Sequence, residues 1–255
     1  MSRFRPAERI LMELGINQPK LIDLEAIAWT MGAAVQYRSL ERCEAMIVGK
    51  NRRAIITVNK DSMPTRRRFS LAHEIGHWHH HRGRVLFCGS NEIGNPIHRT
   101  LDPEYQADQF ASDMLLPHFL LRPRIAKTKQ INLAFMRSIA DEFEVSRTAT
   151  LLKFVEANIF PIMAVCHNKQ GRRWFRRAPM IPGWWFPKED LDAECIAFEL
   201  LFGGVVDSPY PRKIGADAWF EFRNVSRYEI KEQAFLLPND EVLTLLIIPE
   251  EGLDE

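Results

Sequence analysis

The residues most able to do chemistry are His73-Glu74-Ile75-Gly76-His77, an H-E-x-x-H pattern. On a helix, residues four apart share a face, so His73 and His77 can aim an imidazole nitrogen at one cation. Glu74 projects about 100° away around the same turn and can reach a water beside that cation without ligating it. Metal-assisted hydrolysis needs this layout: the cation acidifies water, and a carboxylate takes the proton as the water attacks a carbonyl. The pentapeptide alone also fits a histidine pair on an amphipathic surface helix. Phe69, Ala72, Ile75 and Trp78 argue for burial instead, because they put an apolar stripe on the same helix. Gly76 inside a helix costs about 1 kcal/mol relative to Ala, which close approach of another element would explain.

A catalytic zinc needs a third protein donor and an open position. The segment from Glu104 to Pro117 offers one. Asp102 reads as its N-cap and Pro103 as its first helical residue. Ala107, Phe110, Ala111, Met114 and Leu115 form its packed face, and Glu104 lies on the edge of that face at the helix start. Asp108, one turn on, could accept a hydrogen bond from a ligating histidine. The competing reading makes Glu104 only a carboxylate at a helix N-terminus, favoured by the macrodipole. His77 and His81 make a second i,i+4 pair, but no glutamate follows His77 in the base position. His79, His80 and His81 therefore read as a helix end favoured by the C-terminal dipole, ahead of an auxiliary metal site. His98 and His118 flank the Glu104 helix and receive no role.

Three blocks together resemble the ImmA/IrrE metallopeptidase family: Ile55-Ile-Thr-Val-Asn59, Arg66-Arg-Arg-Phe-Ser-Leu-Ala-His-Glu-Ile-Gly-His77, and Glu104-x-x-Ala-Asp-x-Phe-Ala-x-x-Met-Leu-Leu-Pro117. The resemblance covers roughly residues 20–160. It implies a zincin-like domain with His73, His77 and Glu104 as metal ligands and Glu74 as catalytic base. It also implies a partner, a helix-turn-helix repressor of the XRE type, cleaved in a stress or mobile-element response. The expected cofactor is Zn2+, although two imidazoles and a carboxylate also accept Mn2+ or another divalent ion. The alternative is a non-catalytic, metal-containing regulator that binds a transcription factor or DNA.

Around these blocks the chain reads as α+β. Short helices are expected over 5–17 and 23–32, the second capped by Asp23, and strands over 45–49 and 54–58 with Lys50-Asn-Arg-Arg53 as their turn. The strand at 54–58 is either an edge that receives extended peptide or a plain core strand. Ser62 is a plausible cap for the H-E-x-x-H helix at 65–81, and a long loop follows over 83–101. Residues 131–157 read as helical. Within them, 138–153 has a helix-turn-helix rhythm but only Arg147 and Lys153 as basic residues on its second helix, which favours a structural role. Beyond residue 160, strands are expected at 161–165, 174–177, 219–222 and 243–248, with a helix near 189–203.

The resulting division is a zincin-like metallopeptidase domain with a small antiparallel sheet at 1–125, a helical segment at 126–160 and an α+β module at 161–255, for sensing or partner docking. Lys and Arg number 34 against 33 Asp and Glu, so no bulk field favours nucleic acid. Arg172-Arg-Trp-Phe-Arg-Arg177 could contact nucleic acid, or be a hairpin strand with its arginines on one face. Cys43, Cys88, Cys166 and Cys195 are widely separated, which suits free thiols in a reducing compartment. The longest apolar run, 159–166, has eight residues, far below the roughly 20 that span a bilayer. No apolar stretch follows the basic N-terminus, so no secretory signal is expected and the cytoplasm is the expected location. Oligomeric state has no signature in the sequence.

Overall fold

The computed structural model describes residues 4–81, 102–203 and 210–253. The loop expected over 83–101, with Cys88 and His98, lies outside the described residues. The chain divides into two units, Met1–Leu121 with Ala140–Ser146, and Arg122–Ile139 with Arg147–Glu255.

In the first unit, α1 (Pro6–Glu13) and α2 (Leu24–Thr30) lead into three strands, β1 (Ala33–Arg38), β2 (Ala45–Lys50) and β3 (Arg53–Asn59). The Asp23 carboxylate caps α2 as its sequence suggests, accepting from the amides of Glu25 and Ala26 at 3.0 Å each. The strands form a sheet in the order β1-β3-β2, with β1 parallel and β2 antiparallel to β3. The hairpin β2–β3 matches the pattern read in the sequence, and Asn51 takes the left-handed conformation in its turn. The third strand, β1, was not anticipated. Its pairing places β3 at the centre of the sheet, so the edge role considered for 54–58 is corrected: Ala54, Ile56 and Val58 are buried core residues, and β1 and β2 form the edges.

Helix α3 (Pro64–His80) follows. Its N-cap is Met63 rather than Ser62. The Ser62 hydroxyl instead donates to Glu44, and Pro64 supplies a pre-set first turn. Helix α4 (Pro103–Leu115) opens on Asp102, whose carboxylate accepts from the Glu104 amide at 3.0 Å. Helices α3 and α4 pack against each other, and the contact is closest at Gly76. A Cβ there would meet the Ala107 Cα and carbonyl oxygen and the Phe110 Cβ at 3.1 Å, which is the physical reason for a glycine inside this helix. On the other side of α3, a Cβ on Gly49 would fall 2.5 Å from the Trp78 ring, so β2 runs hard against the helix. The Trp78 indole N–H donates to the Met31 carbonyl at 2.8 Å and ties the helix to the end of α2.

Helices α5 (His118–Lys127), α6 (Leu133–Phe143) and α7 (Arg147–Ala157) come next. The last two are the helical segment read at 131–157, broken at Glu144, which has a left-handed φ of 54°. The second unit centres on an antiparallel sheet of β4 (Ile162–Asn168), β5 (Gly171–Arg177), β6 (Arg212–Gly215), β7 (Glu229–Leu237) and β8 (Glu241–Ile247), ordered β5-β4-β8-β7-β6. Helix α8 (Ile196–Phe202) lies on β7 and β8, and α7 lies on β4 and β5. With both faces covered, β4 and β8 read as nearly continuous apolar runs, the pattern of doubly buried strands.

The strand expected at 219–222 is not one. Residues Ala216–Ala218 make a single 3-10 turn, and Phe220 joins only an isolated bridge to Pro187. Trp219 is aromatic because it fills the core, where its indole N–H donates to the buried Glu232 at 2.8 Å. Residues 172–177 form the hairpin strand. Arg172 pairs with Glu189 at 3.0 Å and donates to the Pro187 carbonyl, while Arg177 donates to the Gly183 carbonyl. Among the described residues, no helix is long and apolar enough to cross a membrane.

Candidate metal centre

Helix periodicity turns His73 and His77 to the same side of α3, and the Gly76 contact brings the first turn of α4 against that side. The two Nε2 atoms lie 3.0 Å apart. Glu104 Oε2 is 3.2 Å from His73 Nε2, and Glu104 Oε1 is 3.2 Å from His77 Nε2. The three sequence-predicted ligands are thus brought together, from two helices separated by the segment 82–101.

A tetrahedral ion held at about 2.0–2.1 Å by each donor would set neighbouring donors about 3.3 Å apart. The spacing found is within a few tenths of an ångström of that, and two imidazoles with one carboxylate are a zinc-compatible set. The chemistry therefore fits a divalent cation.

Electrostatics agree with the geometry. Burial alone would depress the His73 imidazole, but the carboxylates of Asp108 and Glu104 outweigh it and raise His73 to about 9. For Glu104, burial works upward, and the hydrogen bonds from His73 and His77 overcome it to hold the carboxyl well below its usual range. Both shifts report one property: the pocket favours positive charge among these donors. His73 Nδ1 lies 2.9 Å from Asp108 Oδ1. Asp108 sits one turn beyond Glu104, so a single helix supplies both a donor to the site and the acceptor that turns His73 Nε2 toward it. On His77, Nδ1 is 3.3 Å from His81 Nδ1.

Glu74 is fully buried, and neither carboxylate oxygen has a hydrogen-bond partner among the described residues. Burial, opposed by His73 and assisted by Glu104, raises it to about 7. An unsatisfied buried carboxylate is costly, so its retention points to a polar species that it serves. It does not join the donor triad, which agrees with its place a quarter-turn around the helix.

The Peptidase_M78 family model, described as the IrrE N-terminal-like domain, matches residues 26–154. The chain belongs to this family. The Peptidase_M78 match spans β1 to β3, α3, α4 and the helices after them, so all four site residues fall inside it. Membership brings a metallopeptidase-like fold, for which a divalent metal is implied. The whole fold is also similar to that of a Mycobacterium tuberculosis transcriptional regulator, with a TM-score of 0.64 and 14% sequence identity over 95% of this chain and 75% of that one. No curated protein sequence matches the chain.

Proposed function

We propose that this chain is a zinc-dependent endopeptidase whose substrate is a helix-turn-helix repressor of the XRE type. The observation that carries the reading is Glu74, a buried carboxylate with neither oxygen hydrogen-bonded among the described residues, next to His73 of a convergent N,N,O donor triad. His73, His77 and Glu104 would hold the ion. When bound, zinc or another divalent cation supplies Lewis acidity, lowering the pKa of water and polarising the scissile carbonyl. Glu74 takes a proton from the water as its oxygen attacks the carbonyl carbon. It returns that proton to the amine nitrogen as the C–N bond breaks. A carboxyl raised to about 7 suits both halves of that transfer. Asp108 keeps the His73 tautomer fixed throughout. The extended substrate adds to the outer side of β2, the edge strand packed against α3, through main-chain hydrogen bonds.

In this reading residues 1–125 carry the peptidase, 126–160 a helical segment, and 161–255 a module that senses a signal or docks the partner, in the cytoplasm. A second reading rests on the likeness to a transcriptional regulator: a non-catalytic, metal-containing protein that binds a transcription factor or DNA. Zinc-loaded protein incubated with candidate repressors, with fragments mapped by mass spectrometry, separates the two. The peptidase yields defined fragments, whereas the regulator leaves its partner intact. Glu74→Gln should keep zinc and lose cleavage by about 10²–10⁴-fold, and His73→Ala should lose both. Cleavage at the wild-type rate by Glu74→Gln would overturn the mechanism.

A further inference from the structure

His77 faces the donor triad with Nε2, which lies 3.0 Å from His73 Nε2 and 3.2 Å from Glu104 Oε1. A neutral imidazole that ligates through Nε2 carries its proton on Nδ1. That N–H needs an acceptor, because its orientation sets the direction of the Nε2 lone pair. For His73 the acceptor is Asp108. For His77, the histidine one turn on, His81, lies within reach of Nδ1.

His81 Nδ1 is 3.3 Å from His77 Nδ1, and the two ring centroids are 5.4 Å apart. His81 is the C-cap of α3, and its backbone N–H donates to the His77 carbonyl at 2.8 Å. The last hydrogen bond of the helix therefore fixes His81 relative to the residue it serves. With the proton of the pair on His77 Nδ1, the hydrogen bond runs from His77 to His81 Nδ1, and His81 keeps its own proton on Nε2.

We propose that His81 is the positioning residue for His77, a neutral acceptor that fixes its tautomer and ring orientation toward the metal. The inference rests on the metal-site reading above. It replaces the view of His81 as one of several dipole-favoured histidines at the helix end, and it excludes a second ion bound between His77 and His81, because the His77 Nδ1 lone pair carries a proton. The chain then uses one helical repeat twice: His73, His77 and His81, each four residues on, supply ligand, ligand and support.

The two supports differ in charge for a physical reason. Two neutral imidazoles and Glu104 would offset one charge of a divalent ion, and Asp108 behind His73, with Glu74 beside it, already supplies the remaining negative charge. A second carboxylate behind His77 would add a negative charge with no cation to pair it and a desolvation cost. A neutral imidazole orients the ligand without that cost.

The test is zinc affinity of the full-length protein by chelator competition, together with the visible spectrum of its cobalt(II)-substituted form. His81→Ala should weaken zinc binding by about 10–100-fold and perturb the cobalt bands. His81→Asn, whose Oδ1 can stand where Nδ1 stood, should restore most of the affinity and the wild-type bands. Thermal unfolding in excess chelator should be alike for all three proteins. Equal zinc affinity in wild type and His81→Ala would overturn this proposal and leave the metal site standing. A drop in the chelator-treated melting temperature that accounts for the lost affinity, without rescue by Asn, would assign His81 to helix stability and overturn it too. Wild-type protein that binds no zinc would overturn both readings.

Discussion

Single residues in this molecule are held in charge states that water would not give them, and His167 is the clearest case outside the metal centre. It is fully buried on β4, with its ring edge-on to Trp219 at 5.7 Å. Burial is the main cause that lowers it to about 4, with Arg172 adding to the effect and the backbone at Lys188 opposing it. The unfolded chain has an ordinary histidine near 6.5. Between about pH 6.5 and 4 the unfolded state thus binds the extra proton, so stability is full above that window and is lost as pH falls through it. Chemical denaturation of wild type at pH 7 and pH 5 should show a loss to which this residue contributes up to about 2 kcal/mol. A His167→Leu variant should lack that share. An identical pH dependence in the two proteins would mean that His167 is not held neutral. At this scale, His73, Glu74 and His77 are legible from the sequence because they depend only on helical spacing. Asp108 is legible for the same reason. The role of His81 is not, because it turns on which ring nitrogen faces which neighbour.

Secondary-structure elements carry the next layer, and Gly76 shows how they bear on the site. The glycine lets α4 approach α3 to the point where a Cβ would sit 3.1 Å from the Ala107 backbone and Phe110 Cβ. Ala107 is one turn from Glu104, so any displacement of α4 moves the proposed third ligand. Gly76→Ala should gain roughly 1 kcal/mol of helix propensity yet weaken zinc binding, because α4 must shift by a few tenths of an ångström. Gly76→Leu should abolish metal binding and destabilise the unit. Competition titration for zinc and melting in chelator separate these effects. Unchanged zinc affinity in Gly76→Ala would show that α4 yields without moving Glu104. The sequence made the cost of this glycine visible, and only the packing shows what offsets it. Elements with strong local signals, such as α3, α4 and the β2–β3 hairpin, were legible. Strands β4, β5 and β8 were legible too, at 161–165, 174–177 and 243–248, whereas β1, β6 and β7 were not. Strand β1 takes its parallel partner 21 positions on, Ala33 opposite Ala54. Strand β7 mixes apolar residues with Glu232 and Gln233, which are buried because Trp219, Arg212 and the Ile196 and Leu133 amides satisfy them. The error at 219–222 has the same origin: aromatic content suggested a strand where tertiary burial required large side chains.

For the molecule as a whole, the order of the chain and the division into units do not coincide. Residues Arg122–Ile139 belong with Arg147–Glu255, while Ala140–Ser146 belong with the first unit. The buried Leu133 amide donates at 2.8 Å to Gln233, 100 residues downstream, a pairing that no local pattern announces. Ile131, Leu133, Met136 and Phe154 are buried in the full chain. A fragment ending at residue 160 would retain the proposed ligands and Glu74 but lose the entire five-stranded sheet. The apolar residues of the second unit in 122–139 and 147–160 would then face water, and the Leu133 amide would lose its acceptor. Such a fragment should aggregate, or melt well below the full chain, and zinc should raise its melting temperature without restoring the full-length value. Mass action explains the limit: a ligand stabilises only by its own binding free energy and cannot replace buried apolar area. A soluble 1–160 fragment with the melting temperature of the whole protein would show that the first 160 residues need nothing from the sheet.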